Sequence, residues 1–215
     1  MEPPAAKPSP TASATEDWFD PAPTRPLPFW ECLFADVRAH VPLDRRPTSR
    51  WLWGLMGLKV LLISPGFRAV LSYRLAHTAR ARLGLLGRCL AAVLHWGGRH
   101  WYGCTLAPEA RLHGGLILPH PQGIVIGPGA VVGPRAWIFQ NVTLGGAPAQ
   151  VGLPFVGADA RIYAGAILTG PVRLGDNVMV GANAVVSGDI PARQLVRSAP
   201  VDILPLPARF IAPGY

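Results

Sequence analysis

An aliphatic residue recurs at every sixth position over most of the C-terminal half of the chain, and this period constrains the fold more than any other feature. A small or β-branched residue follows four positions later in nearly every case, and glycine often follows the aliphatic residue directly. Such hexads are typical of a solenoid, in which each repeat buries the face of its neighbour. The aliphatic positions are Ile126, Val132, Ile138, Leu144, Val156, Ile162, Leu168, Leu174, Val180 and Val186.

Each hexad predicts a short strand followed by a tight turn. The aliphatic residue fills the interior, the small residue fits near a corner, and glycine is expected because it tolerates unusual backbone dihedrals. Three hexads make one triangular coil of about 18 residues. We therefore predict a mainly β fold, a left-handed parallel β-helix preceded by an α-helical N-terminal subdomain. A Gly/Pro-rich sandwich, the competing fold, would not keep a six-residue phase over so long a stretch.

An earlier aliphatic series has the same period but is two residues out of phase with Ile126, which predicts a small insertion beside His120. The segment 145–155 then spans two hexads with the polar Gln150 at its interior position, so we expect it to leave the solenoid as a loop that contacts ligands. The residues of the earlier series are Leu106, Leu112, Leu118 and Ile124.

The rest of the chain divides by composition. Residues 1–28 are rich in Pro, Ala, Ser and Thr, which predicts a disordered tail. Helical spacing of apolar residues predicts an α-helical cap over 29–104, whose last helix is expected to stop at the Gly97–Gly98 pair. The β-helix domain is predicted over 105–203, and a C-terminal tail over 204–215.

The formal net charge of +8 falls mostly in one stretch, because residues 51–120 hold eight basic side chains and one acidic one. Such a stretch can face nucleic acid, anionic lipid or a polyanionic cofactor, or it can lie on solvated helix faces. Nucleic acid is disfavoured, since neither zinc-ligand spacing nor a recognition-helix or RNA-binding motif occurs. A contact with an anionic membrane is left open by the arginines of the cap, which are Arg68, Arg74, Arg80, Arg82 and Arg88.

Three widely spaced cysteines argue against a disulfide framework and favour a reducing compartment. The acidic, Pro-rich N-terminus does not resemble a secretory signal. The most hydrophobic stretch, 51–63, is interrupted by Lys59 and is shorter than the roughly 20 apolar residues that a membrane span needs. We therefore expect a cytoplasmic protein, with a peripheral position on the inner face of the membrane left open.

The predicted solenoid contains few chemically active side chains. It has two histidines, His113 and His120, whereas the zinc site of hexapeptide-repeat carbonic anhydrases needs three, so no metal is expected. Ser187 and Ser198 lack a nucleophile elbow, which disfavours a serine hydrolase. His77 falls at helical spacing in the cap, and we expect it to be packed or hydrogen-bonded rather than catalytic.

Residues 60–203 resemble the bacterial serine O-acetyltransferases of the left-handed β-helix acyltransferase superfamily. The matching stretches are SPGFRAVLSYRLAH, GLILPHPQGIVIG, IFQNVTLGG, YAGAILTG and VGANAVV. The resemblance implies an enzyme that uses acetyl-CoA, with His120 as its general base. It also implies four cofactor-binding residues, Gly145 and Gly146 beside the thioester and Ala164 and Ala182 in the pantetheine groove.

Several positions depart from the pattern of that family. The family pairs its base with an aspartate where this chain has Thr105, so Thr105 or a main-chain carbonyl is expected to orient the imidazole. The aspartate before the base is Pro119 here, and the Arg-His pair that holds the substrate carboxylate aligns with Gly152 and Leu153. Gln140 either hydrogen-bonds across the coil or reaches the acceptor. The charged contacts expected for a free amino acid are therefore missing.

These departures favour an O-acetyltransferase that acts on the hydroxyl of a sugar, a polysaccharide precursor or another small metabolite. Two alternatives stay open: a serine O-acetyltransferase of cysteine biosynthesis, with substitute carboxylate ligands from the cap, and a non-catalytic trimeric scaffold. The resemblance also implies a homotrimer, with acetyl-CoA in the groove between adjacent subunits. An acyl donor larger than acetyl is left open as well.

Overall fold

The computed structural model describes residues 28–147 and 152–198. Most of the predicted tail over 1–28 therefore lies outside the described residues, as do the predicted tail over 204–215 and Gln150 of the expected loop. The described chain forms a helical cap followed by a solenoid. The cap contains helices α1 Phe29–His40, α2 Arg50–Ile63, α3 Pro65–Arg82 and α4 Gly84–Tyr102, with a short 3₁₀ helix at Leu43–Arg45.

The prediction that α4 stops at Gly97–Gly98 is wrong. The helix continues to Tyr102, and Gly103 ends it in the left-handed conformation with a φ of 62°. Gly97 and Gly98 have room for a Cβ, whereas Gly87 of the same helix serves close packing. A Cβ at Gly87 would collide with the backbone carbonyl of Ala79 on α3, so the two helices approach each other at a distance that only glycine permits.

The strands of the solenoid form three parallel sheets. The strands are β1 Thr105–Leu106, β2 Arg111–Leu112, β3 Val125–Ile126, β4 Val131–Val132, β5 Trp137–Ile138, β6 Thr143–Gly145, β7 Phe155–Val156, β8 Arg161–Ile162, β9 Ile167–Thr169, β10 Arg173–Leu174, β11 Met179–Val180, β12 Val185–Val186 and β13 Leu195–Val196. The sheet orders are β1-β3-β6-β9-β12, β2-β4-β7-β10 and β5-β8-β11-β13. The predicted architecture, a parallel β-helix behind an α-helical subdomain, is confirmed.

The aliphatic residues that the period predicts fill the interior of the solenoid, and Leu144 and Ile162 have no exposed surface. The physical reason expected for the glycines that directly follow the aliphatic residues is wrong, however. A Cβ at Gly157 would lie 2.6 Å from the backbone carbon of Gly175 in the next coil, and Gly133 and Gly175 are equally close to a neighbouring backbone, so these three glycines allow close stacking at ordinary φ angles. The left-handed turn positions are taken by other glycines and by six residues with side chains. The glycines are Gly115, Gly123, Gly129 and Gly165, and the others are Arg135, Asn141, Asp159, Asn177, Asn183 and Arg193.

A buried ion pair joins the cap to the first coil. Arg74 of α3 donates from Nε to Oδ2 of Asp36 on α1 at 3.0 Å. The other carboxylate oxygen of Asp36 accepts from the backbone N–H groups of Gly115 at 2.7 Å and Leu116 at 3.1 Å, and Arg74 also donates to the carbonyl of His113 at 2.7 Å. Arg74 is therefore buried, and the expectation that it belongs to the arginines available for a membrane contact is wrong. With these partners the two charges are tolerated in the interior, where one alone would be costly.

Two more side chains of α3 hold the same coil. The hydroxyl of Tyr73 donates to the carbonyl of Ala110 at 2.7 Å and accepts from the N–H of Leu112 at 3.1 Å. Burial raises the pKa of Tyr73 to about 12. Nδ1 of His77 lies 2.9 Å from the carbonyl oxygen of Pro108, which confirms that His77 is a hydrogen-bonded structural residue. The cap therefore positions the first coil through α3.

Candidate active site

The structure places His120 in an enlarged corner of the solenoid. Ile117 pairs with Trp137, twenty positions later, whereas Val125 pairs with Thr143, eighteen positions later. The corner between Ile117 and Val125 therefore contains two more residues than the corner stacked on it, and the predicted insertion beside His120 is confirmed. The side chain of His120 is exposed in this corner.

The N-terminus of α3 packs against the same corner. A Cβ at Gly66 would collide with the carbonyl oxygen of Leu118, so only glycine allows the helix to approach the backbone of Leu118 this closely. Ser64 begins the helix, because its hydroxyl oxygen accepts from the N–H of Phe67 at 3.1 Å. The Ser-Pro-Gly-Phe sequence thus fixes the backbone two residues before His120.

Five of the predicted site residues lie in stacked layers of one corner, which we call the site corner. Pro119 and His120 lie in the lowest of these layers, Gln140 lies in the next, and Ala164 and Ala182 follow above. Backbone hydrogen bonds connect the layers, from Asn141 N–H to the Gln122 carbonyl at 3.0 Å, from Gly165 N–H to the Gln140 carbonyl at 3.0 Å, and from Asn183 N–H to the Ala164 carbonyl at 2.9 Å.

The site corner also contains two aromatic residues that the sequence analysis missed. The rings of Phe139 and Tyr163 are stacked with their centroids 5.0 Å apart and an interplanar angle of 19°. Each directly follows the buried aliphatic residue of its hexad, and this shared position was the available signal. Oε1 of Gln140, beside Phe139, is buried and has no hydrogen-bond partner among the described residues. The corner therefore offers an apolar wall and a free acceptor.

The other predicted cofactor residues, Gly145 and Gly146, lie at the far end of β6, on the opposite side of the sheet β1-β3-β6-β9-β12 from the site corner. Gly145 ends β6, and residues 141–144 separate it from Gln140 in the site corner, a distance on the order of 15 Å for extended chain. The side chain of Leu153 packs there: a Cβ at Gly146 would lie 3.7 Å from Leu153 Cδ2, and one at Gly129 would lie 2.6 Å from Leu153 Cδ1. The structure thus brings Leu153 to Gly146 but separates both from His120 within one chain.

Thr105 lies in β1, next to β3, and its N–H donates to the carbonyl of Ile124 at 2.8 Å. Its side chain is half-buried. No hydrogen bond joins Thr105 to His120, which has no hydrogen-bond partner among residues 28–147 and 152–198. The predicted role of Thr105 in orienting the imidazole therefore stays a prediction.

Two other histidines, His95 and His113, lie near the solenoid. Nδ1 of His95 lies 3.1 Å from the carbonyl oxygen of Leu106. Burial lowers the pKa of His113, and the positive charges of Arg111 and Arg74 lower it further. His113 lines a cavity of about 620 Å³ that contains none of the predicted site residues. In the described part of the chain, no three His, Cys, Asp or Glu side chains are grouped as a metal site would require.

A solenoid of hexads with an exposed imidazole at one corner defines the class of left-handed β-helix acyltransferases. The family described as bacterial transferase hexapeptide (six repeats) matches residues 154–188. The chain is 37% identical over 166 residues to the serine acetyltransferase of Synechococcus elongatus, covering 76% of this chain and 64% of that protein. It is 36% identical over 152 residues to the serine acetyltransferase of Helicobacter pylori, covering 69% of this chain and 84% of that protein. The chain therefore belongs to the serine acetyltransferase family.

A solved structure of a serine acetyltransferase in complex with CoA has a TM-score of 0.67 to this chain at 28% identity, over 82% of this chain and 69% of that one. The predicted family and left-handed β-helix are confirmed, and so, at the level of the family, is the predicted acyltransferase class. The chain spans about 64% of the length of the Synechococcus relative. The names of these relatives favour the serine alternative over the sugar acceptor that the sequence analysis preferred.

Proposed function

We propose that this protein is an acetyl-CoA-dependent O-acetyltransferase with serine as its acceptor and His120 as its general base. The observation that carries the proposal is the exposed imidazole in the enlarged site corner, in line with Gln140, Ala164 and Ala182. Membership of the serine acetyltransferase family supports acyl transfer from acetyl-CoA, and the names of the relatives support serine.

The reaction is a direct transfer. The neutral imidazole of His120 accepts the proton of the acceptor hydroxyl as that oxygen attacks the thioester carbonyl carbon. A C–O bond forms and the carbonyl oxygen becomes an oxyanion, which backbone N–H groups stabilise. The tetrahedral intermediate then collapses, the C–S bond breaks, and the departing CoA thiolate takes the proton from the imidazolium. The O-acetyl product and free CoA leave, and His120 returns to its neutral form.

The proposal includes a homotrimer in which a neighbouring subunit completes each site. Gly145 and Gly146 lie on the order of 15 Å from the site corner of their own chain, too far for one thioester to contact both. They act together with His120 only if the groove between two subunits brings the two edges of the sheet together. The neighbouring subunit can then also supply the hydrogen bond that orients the imidazole.

A second candidate acceptor, an uncharged hydroxyl compound such as a sugar, is favoured by the position of Leu153. Its apolar side chain lies against Gly146 and Gly129, where the family resemblance places a basic pair for the substrate carboxylate. A carboxylate bound beside Leu153 would lack the charge-assisted hydrogen bonds that make such pairs strong. Serine therefore requires a basic side chain from another part of the assembly.

We also propose a cytoplasmic location, where acetyl-CoA is available and thiols stay reduced. Cys32, Cys89 and Cys104 are all free, and Cys32 and Cys104 are buried among side chains that offer no disulfide partner in the described residues. Free thiols of this kind suit a reducing compartment.

The acceptor is tested by measuring thiol release from acetyl-CoA with serine, homoserine, sugars and nucleotide sugars. Release with serine supports the proposal. Release with a sugar but not with serine overturns the serine acceptor and retains acyl transfer. Absence of release with every acceptor favours the non-catalytic scaffold.

The general base is tested with His120→Ala, for which we expect kcat to fall on the order of 100-fold or more. His100→Ala is the matched control, because His100 is an exposed histidine on α4, outside the site corner. Circular dichroism and light scattering show whether both variants keep the fold and the assembly of the parent. A His120→Ala variant with the rate of the parent protein would exclude His120 as the base.

A further inference from the structure

Helix α4 turns its small residues inward and its large apolar residues outward. Gly87 and Ala91 are buried on the side that packs against α3. Leu86 is 74% exposed and Trp101 is 75% exposed. A surface helix normally has the reverse arrangement, and a contiguous exposed apolar patch marks a contact site. The exposed apolar residues of α4 are Leu85, Leu86, Leu90, Val93, Trp96 and Trp101.

The exposed apolar surface continues on α2. The guanidinium of Arg68 donates to the carbonyl of Leu62 at 2.8 Å and lies 5.9 Å from the ring centroid of Tyr102, so the C-terminal ends of α2 and α4 meet at Arg68. Along α2, the exposed residues Trp51, Leu55, Leu58 and Leu62 recur at three- and four-residue intervals, which places them on one stripe that ends next to the exposed Ile63. This stripe and the exposed apolar residues of α4 form what we call the outer face of the cap. The members from α2 are Trp51, Leu55, Leu58, Leu62 and Ile63.

Positive charge borders the outer face along α4. No acidic residue occurs from position 50 to position 102. Arg88 and Arg99 are exposed and follow Leu85 and Trp96 by three residues, so they flank the apolar stripe of α4. Arg82 is exposed just before α4 begins. An apolar face with an arginine rim and no acidic residue is complementary to an anionic lipid surface.

We propose that the outer face of the cap binds the surface of an anionic phospholipid membrane. The leucines enter the acyl boundary, Trp96 and Trp101 lie at headgroup level, and Arg88 and Arg99 contact lipid phosphates. A second copy of the chain fits less well, because a symmetric contact would bring the same cations together without an acidic partner from these helices.

The geometry favours cap helices that lie on the bilayer surface over cap helices that cross the bilayer. Among the described residues, no helix by itself combines the length and the apolar composition of a membrane span. The consecutive helices α2 and α3 have the length and the apolar composition of a membrane span only when they are taken together. Their axes bend by 105° at the break between them. Arg74 of α3 is also buried in the ion pair with Asp36, which keeps α3 attached to the solenoid.

The test is co-sedimentation of the full chain with vesicles of phosphatidylcholine alone or mixed with phosphatidylglycerol. We expect binding that rises with the phosphatidylglycerol content and falls with salt. The Leu86→Gln/Val93→Gln variant should lower the partition coefficient at least about tenfold. The Arg88→Gln/Arg99→Gln variant should lower it about 30-fold on anionic vesicles and leave binding to neutral vesicles unchanged.

The matched controls lie on the solenoid. Val185→Gln and Leu195→Gln replace apolar residues that are 67% and 61% exposed, and Arg197→Gln removes an exposed cation. These variants should bind vesicles like the parent. Binding that ignores phosphatidylglycerol, or controls that lose binding as much as the cap variants, overturns the proposal. A change in oligomeric mass by light scattering in the Leu86→Gln/Val93→Gln variant would instead assign the outer face to a subunit contact, which also overturns it.

Discussion

The solenoid and the cap use large apolar side chains in opposite ways. In the solenoid they point inward, and Leu144 and Leu168 have no exposed surface. In the outer helix of the cap the buried positions are Gly87 and Ala91, whereas Leu86 is largely exposed. The solenoid therefore gains its stability from stacking of its own coils, while the cap leaves apolar surface for a contact outside the described chain.

Buried charge shows the same contrast. Asp36 and Arg74 are the buried charged residues of the described chain, and both lie in the cap, where they hold the first coil. The interior of the solenoid is filled by aliphatic residues and alanine. The coils are thus specified by shape and period, whereas the position of the cap on the coils is specified by hydrogen bonds from polar side chains, chiefly the Asp36–Arg74 ion pair together with Tyr73 and His77.

The largest effect should come from breaking that ion pair. Arg74→Ala should lower the free energy of unfolding by about 3–5 kcal/mol, because it leaves the carboxylate of Asp36 buried and unpaired. Arg88→Ala, which removes an exposed arginine from the neighbouring helix, should change it by less than about 0.5 kcal/mol. Urea unfolding followed by circular dichroism measures both. Equal losses for the two variants would mean that the ion pair does not hold the cap.

The second test compares leucines of the two regions. Leu168→Ala should destabilise the solenoid by about 3 kcal/mol, since it removes a fully buried side chain and leaves a cavity. Leu86→Ala on the outer face should cost less than about 0.5 kcal/mol in the absence of lipid. The same unfolding measurement applies. A large loss for Leu86→Ala would show that the outer face is covered by protein in solution.

The sequence predicts the solenoid well and the cap poorly for one physical reason. A hexad is a local pattern, so the six-residue period identifies each inward residue directly from the sequence. Even the insertion beside His120 is visible as a two-residue shift in that period. The Asp36–Arg74 pair joins positions 38 residues apart on two different helices, and no local pattern distinguishes Arg74 from the exposed arginines around it. The helical spacing predicts the helices of the cap but not which of their faces is inside.

A third test concerns the corners of the solenoid. Asn177 adopts a left-handed conformation with a φ of 56°, which a residue with an ordinary Cβ adopts only at a cost. Asn177→Ala should therefore destabilise the protein by about 1–2 kcal/mol. Asn177→Gly should stay within about 0.5 kcal/mol of the parent, because glycine adopts this conformation freely. If both variants lose the same amount, the side chain of Asn177 matters and its backbone angle does not.

The candidate site was predictable in part. The stacked positions of His120, Gln140, Ala164 and Ala182 follow from the period, since residues at the same hexad position share a corner. The separation of Gly145 from His120 could not be predicted in this way, because a match to sequence motifs does not give the distance between the residues of those motifs in the fold. The Phe139–Tyr163 stack was missed because aromatic residues at the position after the aliphatic one break no rule of the repeat. A groove between subunits depends on contacts that one chain does not contain.

The smallest predicted effect is a loss of stability at alkaline pH that originates where the cap meets the solenoid. Burial raises the pKa of Cys104 from 9.0 to about 11. The folded state therefore holds its proton to higher pH than the unfolded state, so this contribution is complete below pH 9 and is lost as the pH rises toward 11. Between pH 8 and pH 9.5 the loss should be about 0.8 kcal/mol, and Cys104→Ala should remove that part of the pH dependence.

Urea midpoints at the two pH values measure this loss of stability, with Cys89→Ala, which removes an exposed thiol, as the control. An unchanged slope in Cys104→Ala would mean that the thiol at this junction titrates alike in both states, and that water reaches the boundary between the cap and the first coil.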